Sequence, residues 1–182
     1  GRRNRYAGSK DRAAVRDHVF TALRCRRSFA VLGGSQTGRG LILGALRAEG
    51  IDPATVFSGQ GYGPSALTEE EAVTPEGFAS DAERLDIPDW LWDSFSASLG
   101  AEAEPAAKAL QSRAPVHLRA NLLRGSREAA IEALAEEGVT CIPHSASETA
   151  LDVTEGQRRV RNSTSFADGL VELQDAASQA VV

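Results

Sequence analysis

At Ala114-Pro115 the hydrophobic pattern of the chain changes period. Upstream, apolar residues recur three or four apart, as on one face of a helix. Downstream, Val116-His117-Leu118-Arg119-Ala120-Asn121-Leu122 alternates apolar with polar, as in a strand with one buried face. Such a chain reads as α+β: an all-helical first half followed by a small mixed unit. In that unit Ser126 caps a helix running to Glu137, with Ile131 and Leu134 inward and Gly138 as its stop. Val139 to Ile142, Leu151 to Val153 and Leu170 to Leu173 read as three further strands.

Asp175 then sits where an N-cap belongs, and a helix runs off the last residue. Ala176, Ala177, Ala180, Val181 and Val182 have little to pack against, so the natural protein is expected to continue. The chain has no Met, and its start is likewise expected to be a cut or processed end.

The first half reads as a series of helices. Val15, Val19 and Leu23 mark one face of a helix spanning Lys10 to Leu32, with Phe20 and Phe29 beside it. The Gly33-Gly34-Ser35-Gln36-Thr37-Gly38-Arg39-Gly40 run has the glycine separation of a phosphate loop. Arg39, however, stands where the phosphate lysine should be, and Gly40 replaces the magnesium-binding hydroxyl. It therefore reads as a turn between helices. Leu41 to Glu49 is a second helix, ended by Gly50, and Asp52-Pro53 opens a short turn. Thr68-Glu69-Glu70-Glu71 is a capping box rather than a metal-binding carboxylate set. Thr74 to Leu85 reads as a polar connection. Pro88 opens a helix whose apolar face comprises Trp90, Leu91, Phe95 and Leu99, and Gly100 ends it. Trp90 is expected in the core; for Trp92, packing and base stacking stay open. A further helix spans about Ala103 to Gln111.

Charge is unevenly spread over the net −5. Residues 1–27 hold nine basic side chains against two acidic, residues 28–104 three against thirteen, and residues 105–182 eight against ten. A cationic start on an acidic body fits a polyanion partner, or a helix face paired with the protein's own acidic middle. Cys25 and Cys141 are too few for a disulfide framework or a zinc site, which favours a reducing cytoplasm. No apolar run reaches membrane-spanning length. His18, His117 and His144 lack ligand or base–nucleophile spacing and read as structural, so no metal site is expected.

Pro88-Asp89-Trp90-Leu91, Pro115 to Asn121, Ser126-Arg127-Glu128 opening a helix that ends Glu136-Glu137-Gly138, and Gly169 through Gln174-Asp175-Ala176-Ala177-Ser178-Gln179 follow one another in order. This succession resembles the Sun family of RNA (cytosine-5) methyltransferases of the bacterial ribosomal type. The stretch from Lys10-Asp11-Arg12 to Leu23-Arg24 is similar to the NusB-like helical domain of many members. The resemblance implies a NusB-like region over 1–87 and an α+β RNA-recognition domain over 88–182, which would precede an absent S-adenosylmethionine-binding catalytic domain. The family's cofactor loop and two catalytic cysteines are missing, so neither catalytic residues nor a cofactor are expected in this chain; S-adenosylmethionine would serve the parent protein.

What remains is RNA positioning, with small-subunit ribosomal RNA as the implied partner. The candidate contacts are Arg12, Arg16, Arg24, Arg26, Arg27, Arg119, Asn121, Arg158, Arg159 and Arg161. Arg119 and Asn121 fall on one strand face, where they either read RNA or pin the fold. Gln174, Asp175 and Ser178 are read as the junction with the missing domain. A standalone RNA-binding module and a protein-interaction module are the alternatives.

Overall fold

The computed structural model describes residues 8–181. The basic residues Arg2, Arg3 and Arg5 and the terminal Val182 lie outside that range. The chain is α+β and divides into two compact units, Gly1–Arg113 and Ala114–Val182. The boundary thus falls where the hydrophobic period changes, two helices beyond the 87/88 division that the resemblance implied.

In the first unit, the single helix expected from Lys10 to Leu32 is two: α1 (Ser9–Arg24) and α2 (Arg26–Gly33). Cys25, at φ −105° and ψ 31°, breaks the run. No side chain of the joint caps α2; a distant carboxylate does so instead. Asp86 accepts hydrogen bonds from the backbone N–H of Arg27 (2.8 Å) and Ser28 (3.0 Å) and from the Ser28 hydroxyl (2.7 Å). Gln111 Nε2 adds a fourth bond at 2.7 Å. These bonds hold Asp86 at φ 58°, a region that non-glycine residues seldom occupy.

The glycine-rich run is the expected turn. Gly34, at φ 70°, ends α2, and the Thr37 side chain accepts from Gly40 N–H to start α3 (Gly38–Ala48). The glycines serve close backbone packing of α2 on α3. A Cβ on Gly33 would collide with the Gly40 carbonyl, and one on Gly44 with the Phe29 carbonyl. Arg39 is engaged by its own unit. Its guanidinium pairs with both Glu71 oxygens at 2.7 and 2.8 Å, donates to Ser65 and Ala66, and lies 4.4 Å from the centre of the Phe57 ring.

Thr68 and Glu71 form the expected capping box at the start of α4 (Glu69–Ala72). The stretch read as a polar connection holds α5 (Asp81–Arg84), whose Ala82 is buried, with buried Leu85 following it. Leu85, Ile87 and Ala107 form a core with Leu91, Trp92 and Phe95 of α6 (Asp89–Leu99); Ala107 comes from α7 (Ala103–Gln111). Trp90, expected in this core, is 81% exposed. At about 100° per residue, positions 91, 92 and 95 share an arc that excludes 90.

Two ion-paired carboxylates make this unit acid-sensitive. Hydrogen bonding to Arg39, then to Thr68, draws the Glu71 carboxyl from 4.5 down to about 2. Arg84, then Lys108, draws Glu104 down to about 2. A carboxyl held low in the folded state stabilises it above the ordinary carboxylate value, and that contribution is lost as pH falls through the folded value. The thermal midpoint should therefore fall between about pH 4.5 and 2, and by less in Arg39→Gln. A midpoint constant across that window would contradict the pairing.

The second unit runs β1 (Val116–Ala120), α8 (Arg127–Glu136), β2 (Thr140–Pro143), β3 (Ala150–Glu155), α9 (Thr164–Ala167), β4 (Val171–Leu173) and α10 (Ala176–Ala180). The strands form one antiparallel sheet in the order β2-β3-β1-β4. This is the split βαβ arrangement of ferredoxin-like folds. Leu118 and Ala120 of β1, Leu151 and Val153 of β3 and Val171 of β4 pack with Ala130 and Leu134 of α8 and with Val139, Cys141 and Val160. The second crossover was read only as a basic cluster. Its short α9 starts where Glu137 accepts from the backbone N–H of Thr164 and Ser165 and from the Ser165 hydroxyl, contacts that hold the Glu137 carboxyl below the usual range. Within α10, Ala176 and Gln179 are buried, whereas Val181 beyond it is 86% exposed.

Candidate nucleic-acid interface

Alternation along β1 turns Leu118 and Ala120 into the core and leaves His117 and Arg119 on the opposite sheet face. Arg119 is directly opposite Glu172 of β4, and Nη1 lies 3.0 Å from Oε1. Both side chains are about half exposed, so the pair is weak and open to competition from phosphate. Arg119 also lines a shallow polar cavity of about 240 Å³ with Ser147, Thr149, Gln174 and Gln179.

Asn121 lies just past β1, and its amide is engaged at both ends. Nδ2 donates to the Gly169 carbonyl at 2.9 Å, and Oδ1 accepts from Leu123 N–H at 3.2 Å. It pins the turn after β1 to the approach of β4.

Arg158, Arg159 and Arg161 sit on the crossover after β3. Arg159 lies over Gly138, and Arg161 borders a cavity of about 340 Å³ with His117, Gln174 and Asp175. The basic residues of the first unit divide between fold and solvent. Arg24 donates to the Gln111 carbonyl and Thr21, and Arg27 to the Ile87 carbonyl and Asp89. Arg26 bonds Gln36, Arg16 pairs with the adjacent Asp17 at 3.3 Å, and Arg12 is exposed on α1.

Of the residues read as a junction, Asp175 caps α10 through Ala177 N–H and lies 3.0 Å from His117 Nδ1. The His117 contact, foremost, holds its carboxyl below the usual range. Gln174 accepts from Gln179 Nε2 through its backbone carbonyl, and its own side-chain oxygen is buried without a hydrogen-bond partner. Ser178 is exposed.

Sequence reasoning passed over Gln179, which is buried, donates to the Leu118 carbonyl and accepts from Thr149. His117 and His144 were read as structural, and Asp152, which clusters with them on the sheet face opposite the core, was not singled out. His117 Nε2 lies 3.0 Å from Asp152 Oδ1, and the His117 and His144 rings meet edge to face at 5.3 Å. Outward alternation on β1 and β3 was the available signal; the register placing His117 opposite Asp152 was not legible.

A family model described as a methyltransferase RsmF/B-like, ferredoxin-like domain matches residues 87–160. The chain is 32% identical over 114 residues to ribosomal RNA small subunit methyltransferase B of Citrobacter koseri, a match covering 63% of this chain and 26% of that protein. It is 31% identical over 111 residues to the protein of that name from Vibrio cholerae serotype O1, covering 61% and 25%. The chain thus spans about a quarter of the length of the curated relatives it matches. The solved structure of PH0851 superposes with a TM-score of 0.61 at 16% identity over 97% of this chain and 47% of that one, a likeness of fold alone. The family model and these relatives bear out a resemblance of residues 87–160 to the ferredoxin-like domain of RsmF/B-like methyltransferases, the Sun-family type.

Proposed function

We propose that this chain is the RNA-recognition part of an S-adenosylmethionine-dependent ribosomal RNA (cytosine-5) methyltransferase, and that it holds RNA for a catalytic domain outside these residues. The observation that carries this reading is the family match over 87–160, which takes in β1, β3 and the start of the crossover with Arg158 and Arg159. Arg119, Arg158, Arg159 and Arg161 supply the cationic contacts; Gln174, Asp175 and Ser178 form the junction. Residues 1–87 are the NusB-like part, where Arg12, Arg16 and Arg26 extend the contact to the RNA backbone, and Arg24 and Arg27 secure the fold. Small-subunit ribosomal RNA is the substrate class.

The residues present do not fit S-adenosylmethionine. The glycine-rich turn, whose spacing mimics a nucleotide loop, has neighbouring backbone packed against Gly33 and Gly40. The cysteines do not fit nucleophilic attack on a base either: burial pushes the Cys25 and Cys141 thiols up to about 11, away from the thiolate.

The test is titration of the chain with fragments of small-subunit ribosomal RNA at several salt concentrations, alongside Arg119→Ala and Arg161→Ala. Affinity should fall as salt rises. Each variant should flatten the log–log salt slope by roughly 0.7 for single-stranded RNA. No binding at low salt would overturn the proposal. A second reading, docking of an apolar partner, rests on an open groove of about 630 Å³ between α1 and α3, bordered by Val15, Val19, Leu23, Leu41, Ile42 and Leu46; it expects no salt-dependent RNA binding.

A further inference from the structure

We infer that His117, His144 and Asp152 form a binding site for a divalent transition-metal ion of the zinc class. One potential ligand atom from each lies within 4.8 Å of the others. His117 Nε2 and Asp152 Oδ1 are 3.0 Å apart. Ligands about 2.0–2.2 Å from a tetrahedral zinc stand about 3.4 Å from one another, so a small movement of the His144 ring closes the set.

Two further observations point to a cation. Asp152 Oδ1 is buried and has no hydrogen-bond partner, although its ion-pair distance to His117 is short. A buried carboxylate oxygen left in that state is costly, and a metal ion at the third corner of the cluster would satisfy it. Asp175 Oδ1 lies 3.0 Å from the other His117 nitrogen, Nδ1. With Nε2 on the metal, Nδ1 keeps its proton and donates to Asp175, the carboxylate–histidine–metal arrangement that orients a ligating ring. Ala176 N–H, which donates to Nδ1 at 3.2 Å when that nitrogen is unprotonated, loses this acceptor in the metal-bound state.

The donor set of two imidazoles and one carboxylate suits zinc, cobalt or nickel rather than magnesium or calcium, which prefer all-oxygen shells. His117 borders a cavity of about 340 Å³, which gives room for water to complete the coordination. His144 Nδ1 accepts from Ala146 N–H at 3.0 Å, and this local bond opens when the ring turns to the ion.

The experiment is a titration of the complete 182-residue chain with cobalt(II), read by the visible d–d bands of a tetrahedral site, followed by displacement with zinc. Binding should saturate at one ion per chain. His144→Ala and Asp152→Asn should each weaken it by at least roughly 100-fold, and Asp175→Asn by roughly 10- to 100-fold. His18→Ala, in the other unit, should leave it unchanged. Should any variant fail to fold by circular dichroism, zinc titration of the unaltered chain followed by histidine NMR decides, with His117 and His144 shifting together and His18 staying still. Absence of a saturable band, binding that survives His144→Ala in a folded protein, or zinc shifts confined to His18 would overturn the site and leave His117 as an ion-pair partner of Asp152 and Asp175.

Discussion

Gly44→Val should unfold the helical unit. Gly44 is buried in α3, where even a single Cβ would fall on the carbonyl of Phe29. A flexible side chain could move aside, but the obstacle here is helix backbone, so relief requires α2 and α3 to separate. Valine adds two methyl groups to that clash. The cost should exceed roughly 3 kcal/mol, the upper end for ordinary overpacking. Gly38→Ala is the control: Gly38 is exposed, at the start of the same helix, with nothing within 4 Å of a built Cβ. It should be neutral or slightly stabilising. Urea unfolding followed by fluorescence of Trp90 and Trp92, both in this unit, reads the difference. An unchanged midpoint for Gly44→Val would show that the two helices do not approach as described.

Leu134→Ala should be comparably damaging in the second unit. Leu134 is fully buried on α8 against the sheet. Truncation of such a leucine costs about 2–5 kcal/mol, from lost burial and from the cavity left behind. At roughly 0.05–0.15 kcal/mol per residue, a unit spanning 114–182 has about 3–10 kcal/mol in total. One substitution should therefore remove a large share and accelerate amide exchange throughout β1, β3 and β4. Leu123→Ala offers the matched comparison, since Leu123 is 97% exposed and its loss should change stability by less than about 0.5 kcal/mol. Equal effects from the two would contradict the assigned core.

Local chemistry was legible in the sequence, and long-range geometry was not. The Thr68–Glu71 box, the stops at Gly50, Gly100 and Gly138, and the four strands of the second unit could be read because each depends on neighbours in sequence. The break at Cys25 could not, because the carboxylate that starts α2 comes from Asp86. Helices α5 and α9, four residues each, are too short to show a period. On α6 Leu91 and Phe95 were correctly placed, whereas Trp90 and Leu99 are exposed and Trp92, left open between packing and stacking, joins the core. Among candidate site residues, the strand address of Arg119 was visible, but its pairing with Glu172 is a property of register. The engagement of Arg24 and Arg27 with backbone carbonyls follows from helix packing that no local pattern records.

The sheet order also dictates when the second unit can become complete. β1 is its first strand in sequence, yet it lies between β3 and β4, and Leu118 finds its β4 partner in Leu173, near the other end of the chain. During synthesis β1, α8, β2 and β3 can assemble while one flank of β1 still presents unpaired N–H and C=O groups, a template for another chain. Only when residues 171–173 have emerged is that flank sealed, and the His117–Asp175 and Leu118–Gln179 contacts then fasten the far end of the chain to its first strand. Slow emergence of residues 156–173 from the ribosome would prolong the aggregation-prone interval, and fast emergence would shorten it.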